Sequence, residues 1–420
     1  YYALVAYDRG SKDFYPAENN FATTVTESGD VILDINVVRV TPNAGVSGYV
    51  TGGLDSDINH ATGIATGDVL VEILNPTQVI DNANYEIIFN EDGFKASTFS
   101  VMRTVDSATD LTITEAPIKS YEAVIFDGMR PILLNDPIAY DLTKSGWNEL
   151  DSTKVSFTVK EDEFLSNTSR YVLKSFRTPF DYQIEIYDQI VDTSYAGRLG
   201  TGQRPTTYVA NPTKFKVKNS TLGYYVNFAL ENVTTATSTE FTDMLDENDN
   251  LFILDIVDGV EVVVMRVYLN YERVPDSQPV VTIPSGSYPV AGDILHLVRK
   301  KSYRSEDTFT FSSKKSSTDD ASAKDELDKI KVVPNPYIAA ASWELKLPPT
   351  VTSGRGERRV DFIHIPLNSK IKIFTVRGDL VKELYHNGDL NNGTVSWDLR
   401  SREGLEVAYG VYYYHVEAPG

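Results

Sequence analysis

The stretch IKIFTVRGDLVKEL, residues 371–384, decides the fold of the last quarter of the chain. Apolar and polar residues alternate on both sides of the Arg377-Gly378-Asp379 turn, which is the pattern of two half-buried strands joined as a hairpin. Further strand-like segments follow at 393–399 and 410–416, with another turn at Gly404. Short strands separated by glycine turns are typical of an antiparallel sandwich, so residues 331–420 are predicted to form a small one.

Four segments of this region resemble the C-terminal sorting domains of the type IX secretion system of Bacteroidetes and related phyla. In order, they are Asn335-Pro336-Tyr337, the hairpin at 371–384, WDLRSREG at 397–404 and AYGVYYYHV at 408–416. The resemblance implies export by type IX secretion, with the secretion machinery as a partner. Domains of this family normally continue into a final short apolar strand, whereas this sequence stops at Pro419-Gly420. The resemblance therefore implies that this strand was removed on release or left out.

The composition indicates an all-β protein. Helix-forming stretches are scarce, Val, Ile, Thr, Tyr and Phe recur in short runs, and a hydrophobic fraction of 41% is enough to build cores. Several β-sandwich domains of immunoglobulin-like or fibronectin III-like type are therefore predicted in series. The net charge of −20 argues against nucleic acid as a partner, because binding phosphates requires a basic face. The chain has no cysteine, which excludes disulfides and thiolate chemistry, and no apolar run is long enough for a transmembrane segment.

Changes of pattern along the chain predict five segments. Residues 1–22, with YYALVAYDRG and a following PAE, are similar to the end of a fibronectin type III-like module. Residues 23–117 are predicted to form a β-sandwich, with one long strand at 31–40, and residues 118–311 a larger β-sandwich domain with some strands apolar on both faces. Residues 312–330 are Ser-rich and charged, as in a linker, and 331–420 form the sorting-like sandwich. An unpaired first strand favours strand donation between subunits.

The segment DENDN at 246–250 is the candidate metal site. It concentrates oxygen atoms before a predicted strand, and Ca²⁺ takes six to eight oxygen ligands. The candidate calcium ligands are Asp246, Asn248, Asp249 and Asn250. The segment is also similar to the DENDN calcium linker of cadherins, although the acidic segments that complete those sites are not recognisable here. A solvated turn is the alternative interpretation, because Asp and Asn favour turns for reasons of their own backbone.

No catalytic residue is predicted. The five histidines are scattered, and the sequence contains no metal-binding histidine pair, nucleophile elbow, P-loop or dinucleotide fingerprint. Carboxylates are too numerous to single out a glycosidase pair. The tyrosines at 412–414 and 224–225, together with Trp147, could form an aromatic platform for sugar. Alternation along a strand instead divides the 412–414 group between a core face and an outer face.

These features predict a non-catalytic structural or adhesive protein, secreted or held at the outer cell surface. Self-assembly into an extracellular filament or layer is expected, so further copies of the chain are predicted partners. The alternative is that these are accessory C-terminal modules of a large extracellular hydrolase, and a third hypothesis is carbohydrate binding by the middle domains. The sequence does not decide among them.

Overall fold

The structure is a computed structural model. It describes residues 2–3, 23–25, 31–38, 44–119, 123–148, 157–160, 164–165, 171–173, 176–199, 201–202, 206–232, 243–245, 249–269, 289–338 and 358–418. Regular structure in this part of the chain is nearly all β, with the α-helix Asp320–Asp325 and 3-10 turns at Pro76–Gln78 and Leu327–Lys329. The prediction of an all-β fold made of sandwiches is confirmed.

The chain forms two compact units, and each draws on separated parts of the sequence. The first unit combines Tyr1–Asp55, Ile73–Asn82 and Ser313–Gly420, and the second combines Ser56–Glu72 with Ala83–Ser312. Each unit is held together by pairing between strands that are distant in sequence. The alternation of apolar and polar residues shows where a strand lies but not which distant strand it pairs with. The predicted segment boundaries stay predictions.

The N-terminal part of the first unit consists of short strands: β1 (Tyr2–Ala3), β2 (Thr23–Val25), β3 (Val31–Leu33), β4 (Val37–Val38), β5 (Tyr49–Val50) and β6 (Gly53–Leu54). Strand β2 pairs with β3, and the described part of the first strand, β1, pairs with β4 of the same chain. The prediction of one strand over 31–40 is wrong. The Val37 amide donates to the Asp34 carbonyl at 2.9 Å, and Asp34 Oδ1 accepts from the Ile35 amide, so a turn divides the segment.

The strands between residues 59 and 314 are β7 (Asn59–Thr62), β8 (Asp68–Ile73), β9 (Ala83–Asp92), β10 (Lys95–Val105), β11 (Ala108–Pro117), β12 (Met129–Leu134), β13 (Ala139–Tyr140), β14 (Gly146–Trp147), β15 (Phe157–Lys160), β16 (Phe164–Leu165), β17 (Tyr171–Leu173), β18 (Tyr182–Ile186), β19 (Asp192–Thr193), β20 (Gly197–Leu199), β21 (Thr201–Gly202), β22 (Thr206–Tyr208), β23 (Pro212–Thr213), β24 (Phe215–Asn219), β25 (Tyr224–Val226), β26 (Phe228–Asn232), β27 (Asp249–Val257), β28 (Val260–Leu269), β29 (Ile294–Leu297), β30 (Arg299–Lys300) and β31 (Thr308–Lys314).

The core of the second unit is a sandwich of two antiparallel sheets. One has the strand order β14-β29-β18-β24-β25, and the other has the order β15-β28-β27-β26. Alternate residues of β18 point inward, where Tyr182, Ile184 and Ile186 join one apolar cluster with residues of both sheets. Strand β27 is also covered on its outer side, where Phe252 and Leu254 join a second cluster. The prediction of strands apolar on both faces therefore agrees with the burial of β27.

A further sheet of the second unit has the order β11-β10-β9-β31, with β7 also paired to the start of β31. Aromatic rings fill its inner side. Phe89 stacks on Tyr303 with ring centroids 4.4 Å apart, and Tyr85 stacks on Phe311 at 4.9 Å. This sheet therefore has an aromatic core, in keeping with the aromatic strands of the sequence.

The C-terminal part of the first unit contains β32 (Ser317–Thr318), the helix α1 (Asp320–Asp325), β33 (Lys331–Val333), β34 (Val360–Ile363), β35 (Lys370–Thr375), β36 (Leu380–Tyr385), β37 (Val395–Trp397) and β38 (Tyr412–Glu417). The orders β33-β34-β37 and β36-β35-β38 make two antiparallel sheets around one apolar cluster. In the predicted linker, β32 pairs with β5, and the Asp319 carboxylate caps α1 by accepting from the Ser322 amide at 2.7 Å. Its role as a linker stays a prediction.

Residues 44–50 pack against this C-terminal part. The Gly393 amide donates to the Ala44 carbonyl at 2.6 Å, and the Ser47 hydroxyl donates to the His364 carbonyl at 2.5 Å. Gly48 has a φ of +71°, and a Cβ there would collide with the Asp319 carbonyl oxygen, so glycine is required. The first unit is thus joined by contacts between residues more than three hundred positions apart.

Candidate functional site

The sorting-like segments lie together in the C-terminal sandwich. Trp397 of β37 is buried, and its indole Nε1 donates to the Arg400 carbonyl at 2.9 Å. Its ring meets Tyr412 of β38 edge-on, with centroids 5.6 Å apart, and Tyr414 meets Phe362 of β34 in the same way at 5.2 Å. Tyr413 is 60% exposed on the opposite face of β38. The tyrosines alternate between the two faces of β38 as predicted, but only Tyr412 packs against the core, since Tyr414 is still 42% exposed.

The Arg377-Gly378-Asp379 segment is the turn of the β35–β36 hairpin. The Gly378 amide donates to the Thr375 carbonyl at 3.0 Å, and the Thr375 amide donates to the Asp379 carbonyl at 2.9 Å. Gly378 has a φ of +92°, a conformation that glycine adopts at no steric cost. These contacts give the tripeptide a structural role as a turn.

A cavity of about 390 Å³ with a mixed polar and apolar lining opens between the two sheets, beside the edge strands β33 and β38. Its lining includes Pro334, Pro336, Tyr337, Phe362, Trp397 and Tyr412. Among the described residues, β38 pairs with β35 alone, so one edge of β38 offers its backbone groups beside this cavity.

Only part of the predicted calcium site can be located. Asp246 and Asn248 lie outside the described residues. Asp249 and Asn250 are the first residues of β27, where both are buried, and the Asn250 amide nitrogen donates to Glu231 Oε2 at 3.1 Å. The described residues contain no group of three or more His, Asp or Glu side chains that could hold a metal ion. The calcium site stays a prediction.

Two of the described histidines make packing contacts. His60 stacks on Phe309 with centroids 4.4 Å apart, and its Nε2 lies 3.0 Å from Asp307 Oδ1. His386 is buried with its Nε2 2.6 Å from the Asn392 carbonyl oxygen. These contacts give both rings a structural role.

The proposed aromatic platform does not form as a group. Trp147 is only 7% exposed, because its side chain belongs to the apolar cluster between the two sheets of the second unit. Including Trp147 in a sugar platform is therefore wrong. Tyr224 and Tyr225 lie on β25, and their hydroxyls donate to different carboxylates, those of Asp255 and Glu185, at 2.8 and 3.0 Å.

Asp255 is the centre of a buried polar network that the sequence analysis missed. The carboxylate accepts hydrogen bonds from the Tyr182 hydroxyl at 2.8 Å, the Asn219 amide at 2.9 Å and the Tyr224 hydroxyl at 2.8 Å. Burial, together with the hydrogen bond to Asp255, raises the pKa of Tyr224 to about 12. An acidic residue inside the apolar run LFILDIV at 251–257 was the available signal. The network keeps the phenols protonated and fixes the two sheets relative to each other.

A second polar cluster lies on the outer face of the five-stranded sheet. Glu185 of β18 accepts from Gln183 at 2.6 Å, from the Tyr187 hydroxyl at 2.7 Å and from the Tyr225 hydroxyl at 3.0 Å. Burial alone would raise the pKa of Glu185, but these three hydrogen bonds outweigh it and hold the pKa below its usual value. The carboxylate is therefore ionised and held in place by its neighbours.

No described helix is long and apolar enough to cross a membrane.

Comparison with known proteins identifies only distant structural similarities. No protein-family model matches the sequence, and no curated protein matches it. One similar solved structure is the flagellar hook junction protein FlgK from Burkholderia pseudomallei, with 12% identity and a TM-score of 0.15. The alignment covers 67% of this chain and 46% of FlgK.

Another similar structure is PorZ, an essential bacterial surface component of the type-IX secretion system of Porphyromonas gingivalis. It has 13% identity and a TM-score of 0.18 over 96% of this chain and 61% of PorZ. The chain thus spans less than two thirds of either protein. At these TM-scores the similarities carry no argument about fold or function.

Proposed function

We propose that this chain is a non-catalytic structural or adhesive protein, exported by type IX secretion and held at or released from the cell surface. Its C-terminal sandwich would be the part that the secretion machinery recognises. The protein would act outside the cell, as a component of an assembly built from further copies of the chain.

One observation carries this proposal. The four sorting-like segments, though spread over residues 335–416, meet in a single sandwich whose core contains Phe362, Ile373 and Trp397. Tyr337 and Tyr412 pack against the same core, so the first and last segments contribute to it as well. All four motifs contribute to one folded sandwich. Four motifs that resembled the family by accident would not be expected to fold together, so the common structure supports the resemblance.

The exposed edges of this sandwich support self-assembly. Among the described residues β36 and β38 each pair only with β35, so both are edge strands. Charged side chains such as Lys382 and Glu383 protect β36 from pairing with another chain, since a charge at an edge opposes such pairing. Strand β38 instead begins with the tyrosines 412–414, of which Tyr413 is 60% exposed, and its one carboxylate, Glu417, lies at the end of the strand. Assembly through β38 is therefore favoured over assembly through β36.

Light scattering and negative-stain microscopy of the purified chain test the structural role. We expect regular filaments or layers, with a scattering mass that rises with concentration above the 46.8 kDa of one chain. Tyr413→Lys should oppose assembly, because it places a charge on the unprotected edge strand. Tyr385→Lys, a change at a 54% exposed position on β36, is the matched control and should leave assembly intact. Native protein that stays monomeric at every concentration would contradict self-assembly.

A further inference from the structure

The outer face of the five-stranded sheet in the second unit carries a row of polar and aromatic side chains. The strand register places Gly146, His296, Gln183, Lys218 and Tyr225 directly opposite one another across β14, β29, β18, β24 and β25. A neighbouring row brings Glu185 opposite Lys216. Since adjacent strands are about 4.8 Å apart, the first row extends for roughly 19 Å.

The side chain of Tyr225 leans across this face. Its hydroxyl donates to Glu185 at 3.0 Å, although Glu185 is two strands away, on β18, and two strand spacings are roughly 10 Å. A tyrosine side chain standing perpendicular to the sheet does not cover that distance, so the ring must lie across β24. The side chain is nevertheless 50% exposed. About half of the residue's surface is therefore open to solvent, and the hydrogen bond to Glu185 fixes the position of the hydroxyl.

Two lysines flank the ring. The ammonium groups of Lys216 and Lys218 lie 5.0 and 5.8 Å from the centroid of Tyr225. The ion pairs between described residues include neither lysine, although the Lys218 ammonium attracts the Glu185 carboxylate electrostatically. The Glu185 carboxylate between the strands is already occupied by three hydrogen bonds from neutral groups. The two ammonium groups and the ionised Glu185 carboxylate leave this group of three side chains with a net charge of about +1, in a chain whose net charge is −20.

We propose that this face binds an acidic saccharide, a glycan containing uronic acid units. The apolar face of a sugar ring would stack on Tyr225, and its carboxylate would accept charge-assisted hydrogen bonds from Lys216 and Lys218. Gln183 and His296, in the same row, supply groups that can bond to sugar hydroxyls. This inference deepens the adhesive role proposed above and rests on it, because an adhesive surface protein requires a ligand on the surface that it contacts.

The C-terminal sandwich offers a matched site that lacks the excess positive charge. Tyr385 is 54% exposed on β36, its hydroxyl donates to Glu383 at 3.2 Å, and the Lys370 ammonium lies 5.2 Å from its ring. Here the lysine is paired with Glu383 at 3.6 Å, and only one lysine is present. An exposed tyrosine beside a lysine is therefore not enough, and Tyr385 serves as the control.

Isothermal titration calorimetry of the full chain with a short oligogalacturonate tests the inference. A short probe is chosen because a long polyanion would be repelled by the net negative charge of the whole chain. We expect the native chain to bind the acidic probe and not a neutral galactose oligomer of equal length. Lys216→Gln with Lys218→Gln should weaken binding by about tenfold or more, because two charged donors are lost. Tyr225→Ala should weaken binding to a similar extent. Tyr225→Phe keeps the ring and should weaken binding less, and Tyr385→Ala leaves the site unchanged and should bind as the native chain does.

The thermal melting curve of each variant shows whether it is folded. The inference is overturned if the folded native chain binds neither oligomer, if it binds both equally, or if folded Tyr225→Ala binds as tightly as the native chain. Failure here is distinguishable from failure of the proposed function. A chain that assembles and is exported but binds no uronate contradicts this inference alone, whereas a chain that binds uronate but is never exported contradicts the proposed function.

Discussion

At the scale of single residues, Asp255 contributes most clearly to the stability of the second unit. The side chain is almost fully buried, and three side chains donate hydrogen bonds to it. Asp255→Ala leaves the buried hydroxyl of Tyr182 and the buried amide of Asn219 without this acceptor. We expect the free energy of unfolding to fall by about 3 kcal/mol, because the Asn219 amide loses a buried acceptor and the Tyr182 hydroxyl keeps only its contact with Thr178 at 3.2 Å. Urea unfolding followed by circular dichroism measures the change.

Asp188→Ala is the control for that measurement, because Asp188 is an exposed acid of the same unit. Its free energy of unfolding should stay within about 0.5 kcal/mol of the native value. Equal urea midpoints for the Asp255 and Asp188 variants would show that the network does not stabilise the unit.

Glu185 gives the second unit a pH dependence of known sign. The pKa of its carboxyl is lower in the folded protein than its usual value, so the ionised form stabilises the fold. That contribution is complete above the unfolded-state pKa and is lost as the pH falls through the folded-state value. Glu185→Gln should therefore be slightly less stable than the native chain at pH 7, by under about 1 kcal/mol because the group is partly exposed.

Urea midpoints of both proteins at neutral and at acid pH check this expectation. The native midpoint should fall more steeply than that of Glu185→Gln between about pH 6 and pH 3. Parallel curves would mean that the Glu185 carboxyl titrates alike in the folded and unfolded chain.

The sequence predicts residue environments only where the signal is local. Asp255 is conspicuous as an acid within an apolar strand, yet its partners Tyr182 and Tyr224 lie 73 and 31 positions away. Finding them requires the register of four strands in two sheets. Trp147 was predicted to be available for sugar binding, but its ring is part of the core. An isolated tryptophan in the sequence does not show whether its side chain is buried.

At the scale of elements, the C-terminal sandwich depends on Trp397. Trp397→Ala removes the ring that contacts Tyr412 and the hydrogen bond to the Arg400 carbonyl. Truncating a buried aromatic residue leaves a cavity and costs about 3–5 kcal/mol. We expect a lower melting temperature and faster proteolysis in the hairpin turn at 377–379.

Tyr413→Ala is the control within the same sandwich, since Tyr413 lies on the exposed face of β38. It should shift the free energy of unfolding by less than about 1 kcal/mol. Equal proteolysis rates for the Trp397 and Tyr413 variants would contradict the assignment of Trp397 to the core.

Strands with clear alternation were predictable, whereas turns made from apolar residues were not. The alternating pattern at 371–384 corresponds to β35 and β36, which form the predicted hairpin. The segment VILDINVVRV at 31–40 has the pattern of one strand because the turn contains an apolar residue, Ile35. The Asp34 hydrogen bonds that close the turn are local, but the pattern of apolar residues does not reveal them. Contacts such as that of Ala44 with Gly393 join distant parts of the chain and leave no trace in either segment.

At the scale of the whole molecule, two units are assembled from separated segments of one chain. The all-β class followed from composition and spacing, because β-branched and aromatic residues recur in short runs between turn residues. The division into discontinuous units did not follow, since no local pattern encodes which distant strands pair. The function proposed here therefore rests on one contiguous region, the C-terminal sandwich, in which the sequence motifs and the strands coincide.

Export by type IX secretion is the central claim, and localisation tests it most directly. The full chain would be produced behind a signal peptide in a bacterium that has the type IX system and in an otherwise identical strain that lacks it. Immunodetection on intact cells and in the medium then measures the fraction outside the cell. The account predicts that the chain leaves the cell only in the competent strain. It also predicts that Trp397→Ala is retained while the exposed control Tyr385→Ala is exported, and an equal distribution of the native chain in the two strains would contradict the account.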